Sequence, residues 1–313
     1  MTTQASIIIP TKDGEDHIGE CLQMIFSQKC DFAFEVIVID SGSTDNTLRI
    51  VSEFPAKIRK IKAEDFGHGK TRNLGARLSN GKYVIFITQD AIPANEKWLA
   101  YLLMAVEEEH KITGVYGRNI PRVDACPSEA RYILRGWGPE KRIKELKIEK
   151  YNSYNYKETV FFSNTGSCIP KKVLLEFPFN EEIVQMEDQE WSKRVLEAGY
   201  KIIYEPRSLV YHSHNYNLKQ LFKRYFDAGT SHKQVFKDNN RVYLPLIPLF
   251  VIIVTVLDLR FMIKKSYNIY PILTWIPKGC IRHLVEAIGF WLGLKYKYLP
   301  GFLTRRFTMY GRY

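Results

Sequence analysis

Cysteine is scarce in this 313-residue sequence, and the spacing of the cysteines shows neither a metal-binding nor a disulfide pattern. The five cysteines are scattered, odd in number and never spaced as Cys-x-x-Cys, so neither a zinc knuckle nor a disulfide framework is predicted. The first residues also lack the basic stretch and apolar core of a secretory leader. We therefore expect a chain that works in a reduced, cytoplasmic setting.

Two further absences exclude large enzyme classes. No Gly-x-x-x-x-Gly-Lys-Ser/Thr loop is present, which argues against a P-loop nucleotide hydrolase. Serine, histidine and aspartate do not occur in the motif order of the common serine hydrolases.

Positive charge is concentrated towards the end of the chain. The whole sequence has 45 Lys and Arg against 34 Asp and Glu, a net charge of +11. Residues 241–313 hold eleven of these bases and two acids, so they account for +9. A basic surface attracts anionic lipid or nucleic acid, and net charge alone does not decide between them.

Apolar residues are interleaved with those C-terminal bases. The apolar run Leu244 to Leu257 contains two prolines and is shorter than the ~20 residues that a membrane-spanning helix needs. A helical apolar stripe follows at Ile281, Leu284, Val285, Ile288, Trp291 and Leu292. We expect an amphipathic region that lies on a membrane surface. The alternatives are a helical subdomain packed on the rest of the protein or on a second copy, and a true membrane span.

Strands and helices alternate in the first ninety residues. Apolar strands are predicted at residues 6–10, 34–39, 58–62 and 83–87, with helical patterns between them. This order predicts βαβ units and an α/β fold, with a mostly parallel sheet and helices on both faces. Such sheets bind ligands at the carboxyl ends of their strands, where Asp40 and Asp90 lie.

The second half of the chain is less regular. Residues 120–159 are polar and poorly periodic, which fits either a mobile acceptor-side loop region or surface decoration. Further elements are predicted as a strand at 159–162, a small-residue loop at 163–167, a helix from Asp188 to Gly199, a strand at 201–204 and an extended piece at 210–212. We expect a catalytic domain at 1–216, with a donor half at about 1–119 and an acceptor half at about 120–216, followed by a helical region at 217–313.

Four motifs occur in a fixed order within residues 5–217. They are Pro10-Thr-Lys-Asp-Gly14, Asp40-Ser-Gly-Ser-Thr-Asp45, Gly69-Lys-Thr-Arg-Asn-Leu-Gly-Ala76 and Glu187-Asp-Gln-Glu-Trp191. Together they resemble the inverting nucleotide-sugar transferases of glycosyltransferase family 2, which have the GT-A fold. The order of the four motifs carries this resemblance, because each one alone is common.

Within that family the sequence looks most like bacterial rhamnosyltransferases. The similar segments are Asp65-Phe-Gly-His-Gly69, Phe86-Ile-Thr-Gln-Asp-Ala91, Val210-Tyr-His-Ser-His-Asn-Tyr216 and Arg224-Tyr-Phe-Asp-Ala-Gly229. This resemblance implies transfer of L-rhamnose from dTDP-rhamnose to a saccharide hydroxyl of a lipid-linked acceptor, in surface polysaccharide biosynthesis. The expected partners are this donor, a polyprenyl-linked or oligosaccharide acceptor and an anionic membrane on its cytoplasmic face. Nucleic acid is not expected, and a homodimer is left open.

The resemblance also assigns site residues. Donor contacts are expected at Pro10, Thr11, Asp40, Lys70, Arg72, Asn73 and Gln89. The family usually holds Mg²⁺ or Mn²⁺ with an Asp-x-Asp motif, but this chain has Thr88-Gln-Asp90 and lacks the first carboxylate. Asp90 and His212 are therefore the expected ligands of the cation, with His214 as an alternative to the histidine. Asp188 is the expected catalytic base, kept ionised by the dipole of the helix that it begins.

Each assignment has a structural alternative. Asp90 and Asp188 can serve as helix caps, Lys70 can belong to a solvated helix face, and Trp191 is expected to be a core residue rather than a sugar platform. For Asp45 the capping role is preferred over contact with the nucleoside. The alternative functions are transfer from a UDP-hexose or UDP-galactofuranose and, in a different class, non-catalytic binding of a nucleotide sugar or nucleic acid.

Overall fold

A β-sheet flanked by helices forms most of the first two thirds of the chain, and helices form the last third. The structure is a computed structural model that describes residues 3–146, 153–237 and 244–310. The strands are β1 (Ala5–Thr11), β2 (Phe34–Asp40), β3 (Lys57–Lys60), β4 (Tyr83–Ile87), β5 (Ile92–Pro93), β6 (Ile112–Ile120), β7 (Arg142–Lys144), β8 (Gly166–Pro170) and β9 (Lys201–Tyr211). The helices are α1 (Ile18–Phe26), α2 (Thr47–Val51), α3 (His68–Leu78), α4 (Trp98–Val106), α5 (Pro127–Gly136), α6 (Ser153–Val160), α7 (Lys171–Glu176), α8 (Glu187–Glu197), α9 (Leu218–Phe236), α10 (Ile247–Lys264), α11 (Ile269–Leu294) and α12 (Gly301–Phe307).

The strands of the described residues form one mixed sheet. Its order is β3-β2-β1-β4-β8-β6-β9-β5, and β7 pairs with β9. The first four strands pair in parallel, which confirms the predicted βαβ arrangement and the α/β class. Beyond β4 the sheet differs from the mostly parallel prediction, because β8 runs antiparallel to both β4 and β6.

The central strands are covered by helices on both faces. Ile7 and Ile9 of β1 belong to one apolar cluster with Leu22 of α1 and Leu102 of α4. Ile8 points the other way, towards α3, where a Cβ atom added to Gly75 would lie 2.3 Å from its Cγ2 atom. A glycine at this position lets α3 pack closely on the sheet. Burial on both faces explains why the centre of β1, Ile7 to Ile9, is consecutively apolar rather than alternating.

Register places the ends of β1, β2 and β4 at one edge of the sheet. Thr11 is opposite Asp40, and Ile8 is opposite Phe86. Beyond the ladder, the side-chain amide of Gln89 accepts a hydrogen bond from the backbone N–H of Lys12 and donates one to its carbonyl oxygen, both at 2.9 Å. The loops that follow β1 and β4 are therefore tied together where parallel strands bind their ligands.

Contacts divide the chain into two units. The sheet unit comprises Met1–Ile120, Gly136–Glu182 and Glu187–His212, and the helical unit comprises Pro121–Arg135, Ile183–Met186 and Ser213–Tyr313. In the helical unit α9 and α11 pack through glycines, since a Cβ atom on Gly293 would lie 2.2 Å from the Phe226 carbonyl oxygen. The expected domain boundaries at 119/120 and 216/217 stay predictions.

Several predicted elements lie elsewhere. The predicted strand at 159–162 is wrong: helix α6 continues to Val160, and the strand is β8, which begins within the predicted 163–167 loop. An apolar run of four residues does not distinguish strand from helix. The predicted helix from Asp188 and strand from 201 are confirmed as α8 and β9. Residues 120–159 contain α5, β7 and most of α6, while 147–152 lie outside the described residues.

Candidate active site

Two adjacent acids begin α8, and Glu187 is buried whereas Asp188 is half-buried. Arg72 of α3 donates a hydrogen bond from Nη1 to Oε1 of Glu187 at 2.5 Å, and both side chains are only 5% exposed. Asp188 accepts hydrogen bonds from the backbone N–H groups of Asn164 at 3.2 Å and Gln189 at 2.8 Å. Segments far apart in sequence therefore converge on this acid pair.

The surroundings shift the two pKa values in opposite directions. Burial disfavours the charged form of Glu187, but the positive charges of Arg72 and His68 outweigh it and lower the pKa of that carboxyl group. Burial and then the negative charge of Glu187 raise the pKa of Asp188 to about 7.

This shift corrects the expectation that the helix dipole keeps Asp188 ionised. A dipole contributes about 0.3–1 kcal/mol, which the desolvation of a buried carboxylate exceeds. A general base works best with a pKa near the working pH, so this pKa is compatible with the expected role of Asp188, which stays a prediction.

Asn164 connects the acid pair to the sheet, and sequence reasoning missed it. It is buried, its Nδ2 atom lies 3.5 Å from Oε1 of Glu187, and its Oδ1 atom accepts a hydrogen bond from Ser167 Oγ at 2.8 Å. Gly166, two residues later, pairs with Ile87 at the end of β4. The sequence signal for this residue was weak, because Asn164 lies in a segment of small polar residues in which no motif distinguishes one residue from the others.

Asp90 and His212 approach each other within the sheet unit. Oδ1 of Asp90 lies 3.6 Å from Nε2 of His212, and the side chains are 22% and 15% exposed. Asp90 follows β4, and the backbone N–H of His212 donates to the Ile120 carbonyl oxygen as β9 ends. Two ligands about 2.1 Å from one cation, at ordinary bond angles, are ~3.0–3.6 Å apart, so this pair fits a divalent ion. His214, the alternative histidine, belongs to the helical unit.

Two residues that are expected to contact the nucleotide-sugar donor, Gln89 and Asn73, have side-chain amide groups that are hydrogen-bonded within the protein. Gln89 exchanges hydrogen bonds with the Lys12 backbone. Asn73 donates to the Phe179 carbonyl oxygen at 2.9 Å and accepts from its N–H at 3.0 Å. Both side chains brace loops, and their expected contact with the donor stays a prediction.

The two basic side chains that are expected to contact the sugar donor, Lys70 and Arg72, differ in exposure. Lys70 is half-exposed and forms an ion pair with Asp65 at 2.9 Å. The guanidinium of Arg72 is buried against Glu187, and its Nε atom has no hydrogen-bond partner within the described residues. Lys70 is therefore the more accessible of the two charges.

The acids that follow β2 organise a tight loop. Asp40 is buried and accepts hydrogen bonds from the N–H of Gly42 at 3.1 Å and from the N–H and Oγ of Ser43. Asp45 accepts a hydrogen bond from the N–H of Thr47, the first residue of α2, at 3.0 Å. The N-cap itself is Asn46, so Asp45 supports the start of the helix from one residue before the cap. Contact of Asp40 with a nucleoside stays a prediction.

Pro10 and Thr11 end β1 beside this loop. They lie opposite Ile39 and Asp40 in the parallel ladder, and the Thr11 carbonyl oxygen accepts hydrogen bonds from Ser41. Their place at the sheet edge is the one that the sequence predicted, whereas their contact with a base is untested.

Trp191 is a core residue, as preferred from the sequence. Its side chain is fully buried, with ring centroids 5.1 Å from Phe162 and 6.0 Å from Phe179. A sugar cannot stack on a ring in this position.

Sequence comparisons give relatives over nearly the whole chain. The sequence model described as glycosyl transferase family 2 matches residues 6–174. The chain is 30% identical over 296 residues to the O-antigen chain rhamnosyltransferase WbaN of Salmonella anatum, covering 92% of this chain and 88% of that protein. It is also 30% identical over 318 residues to the O-antigen chain rhamnosyltransferase RfbN of Salmonella typhimurium, covering 98% and 95%.

Solved structures with a similar fold include two transferases. The mannosyltransferase PcManGT from Pyrobaculum calidifontis, in complex with GDP-Man and Mn²⁺, has a TM-score of 0.58 and 16% identity, covering 93% of this chain and 88% of that one. Residues 1–349 of TarS from S. aureus have a TM-score of 0.54 and 18% identity, covering 95% and 91%. At these identities the likeness concerns the fold alone.

Proposed function

Because this chain belongs to glycosyl transferase family 2, we propose that it moves L-rhamnose from dTDP-rhamnose to a hydroxyl group of a lipid-linked saccharide, with inversion. The chain is a glycosyltransferase with the GT-A fold and a helical C-terminal region. Rhamnose as the sugar is supported by two O-antigen relatives, each 30% identical over nearly the full length.

The half-buried carboxyl group of Asp188 carries the mechanism. Its pKa is raised to about 7, which makes the carboxylate a stronger base than an ordinary aspartate and leaves part of it unprotonated at neutral pH. In a single displacement, the acceptor oxygen forms a bond to C1 of the sugar while the bond from C1 to the diphosphate oxygen breaks. The proton of the acceptor hydroxyl passes to Asp188, and the nucleoside diphosphate leaves.

The position of Asp188 relative to the end of β4 supports a shared cleft with Asp90. Asn164, which donates its N–H to Asp188, lies two residues before the partner of Ile87. Asp90 lies three residues after Ile87, so Asp90 and Asn164, the residue that binds Asp188, follow and precede paired strands at the same edge of the sheet. We infer that the reacting sugar lies between Asp90 and Asp188.

Asp90 and His212 would hold a divalent cation in this cleft. A bound Mg²⁺ or Mn²⁺ would stabilise the negative charge of the leaving diphosphate. Lys70 would add a second positive charge by exchanging Asp65 for a phosphate group, since its ion pair is half-exposed and weak. Asp40 would then contact the nucleobase, because deoxyribose has no 2′-hydroxyl group that could donate a hydrogen bond to its carboxylate.

Arg72 and Glu187 act on the catalytic base, Asp188, rather than on the sugar. The negative charge of Glu187 contributes to the raised pKa of Asp188, and Arg72 opposes it. Their buried pair therefore sets the pH at which Asp188 becomes a working base.

The exposed apolar side chains of α10 support contact with a membrane. We call the side chains of Leu249, Phe250, Ile252, Ile253, Val256 and Ile263 the α10 apolar surface; each is at least 41% exposed. Leu244–Lys264 is long and apolar enough to cross a membrane by length and composition. Exposed bases lie in the last turns of this helix, at Arg260 and Lys264, and directly after it, at Lys265. We infer that the helix lies on an anionic membrane surface at the cytoplasmic face.

A donor panel tests the proposed function. The full chain is incubated with a membrane extract and dTDP-rhamnose, a UDP-hexose or UDP-galactofuranose, and products are measured by mass spectrometry. We expect a deoxyhexose to be added to a lipid-linked saccharide fastest from dTDP-rhamnose. Faster transfer from a uridine donor would overturn the donor assignment, and no transfer from any donor would overturn the proposal itself.

A further inference from the structure

A cavity of about 580 Å³ lies within the helical unit, outside the candidate active site. Residues of α5, α9, α10 and α11 line it. Its volume lies within the ~300–1,000 Å³ that is usual for small-molecule sites. Most of its wall is apolar or aromatic, formed by Tyr225, Ile247, Phe250, Val254, Ala287 and Phe290.

The charged groups at the cavity wall are compensated by one another. Arg131 donates to Asp258 at 2.6 Å, and the ring of His283 joins Asp258 at 2.7 Å to Glu286 at 2.9 Å. Burial raises the pKa of Glu129, the remaining acid of the wall. The wall therefore offers little free charge for a phosphate group, and its contacts suit an uncharged apolar ligand.

The cavity is continuous with the surface proposed to meet the membrane. Phe250 lines the cavity and also belongs to the α10 apolar surface, and its side chain is 49% exposed. Leu246, at the start of the same helix, lines the cavity and is 55% exposed. A hydrocarbon chain can therefore pass from a bilayer into the cavity without crossing water.

We propose that this cavity binds the isoprenoid chain of the lipid-linked acceptor. This inference rests on the proposed function, since a transferase acting at a membrane surface has to hold the lipid end of its acceptor near that surface. Aromatic rings at Tyr225, Phe250 and Phe290 offer flat faces to the planar, methyl-branched units of an isoprenoid. A straight acyl chain of a phospholipid would fill the cavity less completely.

Binding of a short isoprenoid tests the cavity directly. The probes are farnesyl phosphate and dodecyl phosphate, which share a headgroup and differ in branching and unsaturation. Ala287→Trp fills the cavity, and the matched control Leu284→Trp adds the same ring one turn earlier, at a side chain that is 42% exposed and does not line it. We expect Ala287→Trp to weaken binding of farnesyl phosphate at least about tenfold and Leu284→Trp to leave it unchanged.

Other results would overturn the proposal. Equal binding of farnesyl phosphate to both variants would remove the cavity as its site. Equal affinity for dodecyl phosphate would show a general lipid site rather than an isoprenoid one. If Ala287→Trp does not fold by circular dichroism, Val254→Phe fills the same cavity with a smaller change. Photo-crosslinking of a diazirine-bearing prenyl phosphate to the unmodified chain should label residues 246–254 and 283–290; labelling confined to other residues would contradict it.

A transfer assay separates this inference from the proposed function. With a polyprenyl-linked acceptor, Ala287→Trp should raise KM at least about tenfold and leave kcat unchanged, while a soluble saccharide acceptor should react as with the unmodified chain. An unchanged KM for the lipid-linked acceptor would overturn the cavity proposal while rhamnosyl transfer stands. Binding of farnesyl phosphate without transfer from any donor would instead remove the proposed function and leave the cavity as a prenyl site.

Discussion

Glu187 and Asp188 are neighbours in the chain, yet their carboxyl groups face different partners. Glu187 is held by the guanidinium of Arg72, whereas Asp188 accepts hydrogen bonds from backbone N–H groups. A backbone dipole stabilises a buried carboxylate less than a full positive charge does. One acid is therefore kept ionised, and the other is left free to exchange a proton near neutral pH.

Replacing Asp188 by Asn should abolish most of the activity. Asparagine keeps the shape of the side chain but cannot accept the proton, so we expect kcat to fall by about 10²–10⁴ with little change in donor affinity. Rates are measured by product formation and donor affinity by calorimetry. The control is Glu190→Gln in the same helical turn, which removes an ion pair with Arg194. Full turnover by Asp188→Asn would remove the catalytic assignment.

The rate should depend on pH through the ionisation of Asp188. The base must be unprotonated, so kcat should fall as pH drops through about 7 and level off above it. In Glu187→Gln the neighbouring negative charge is gone, which lowers the pKa of Asp188 and moves the profile to lower pH. Initial rates between about pH 5.5 and 8.5 measure both profiles. Coincident profiles for the two proteins would contradict this account, provided that circular dichroism shows both to be folded.

Removal of a divalent cation should stop transfer, and Asp90 and His212 should set its affinity. We expect EDTA to inactivate the protein and Mn²⁺ to restore it, with at least about tenfold more Mn²⁺ needed in Asp90→Asn or His212→Gln. Activity is titrated against free Mn²⁺ in each protein. Asp31→Asn, an exposed acid elsewhere, serves as the control. The same Mn²⁺ requirement in all four proteins would exclude these ligands.

At the scale of elements, sequence patterns were sufficient where one element carried its own signal. The strands β1, β2 and β4 are apolar runs between turn residues, and the motifs after them lie at the predicted edge of the sheet. Strand β8 reads Gly-Ser-Cys-Ile-Pro and has no such pattern. Its antiparallel pairing with β4 and β6 decides its conformation, and that pairing is not visible in the sequence around it.

The candidate site shows the same limit. The types and order of Asp90, Asp188 and His212 were available from motifs. Asp90 and His212 lie 3.6 Å apart, and their role as metal ligands stays a prediction. The Arg72–Glu187 pair joins residues 115 positions apart, and neither segment indicates its partner. Expectations about charge therefore failed where burial decided the outcome, as for the ionisation of Asp188.

The contact between α10 and α11 should weaken at high pH. Burial alone would lower the pKa of His283, but hydrogen bonds to Asp258 and Glu286 outweigh it and raise the pKa to about 9. Since the folded state raises this pKa, the stabilisation is fully present below about pH 6.5 and is lost as pH rises through about 9. Thermal unfolding at both pH values measures this, and His283→Gln should show a smaller loss. An equal loss in both proteins would assign it to another group.

Over the whole molecule, charge and apolar exposure coincide in the C-terminal region. Residues 241–313 carry most of the net charge of +11, and the α10 apolar surface lies within them. Neither property alone holds a protein on a bilayer strongly, but together they combine apolar burial with attraction to anionic lipid.

Binding to vesicles should therefore need both properties. We expect sedimentation with anionic vesicles that weakens between about 0.1 and 0.5 M salt, and little binding to neutral ones. The double change Ile252→Glu and Ile253→Glu should reduce binding at least about tenfold. The matched control, Met104→Glu with Leu175→Glu, places the same charges at exposed apolar positions of the sheet unit. Equal binding to neutral vesicles would count against the electrostatic part.

Asp258 limits how far α10 can enter a bilayer. Its buried carboxylate, well inside this apolar helix, is bound by Arg131, His283 and Trp275. Full insertion would either leave this charge unpaired in the hydrocarbon core or move its charged partners into the bilayer as well. Either outcome costs several kcal/mol. The protein should consequently be able to leave one patch of membrane and reach another.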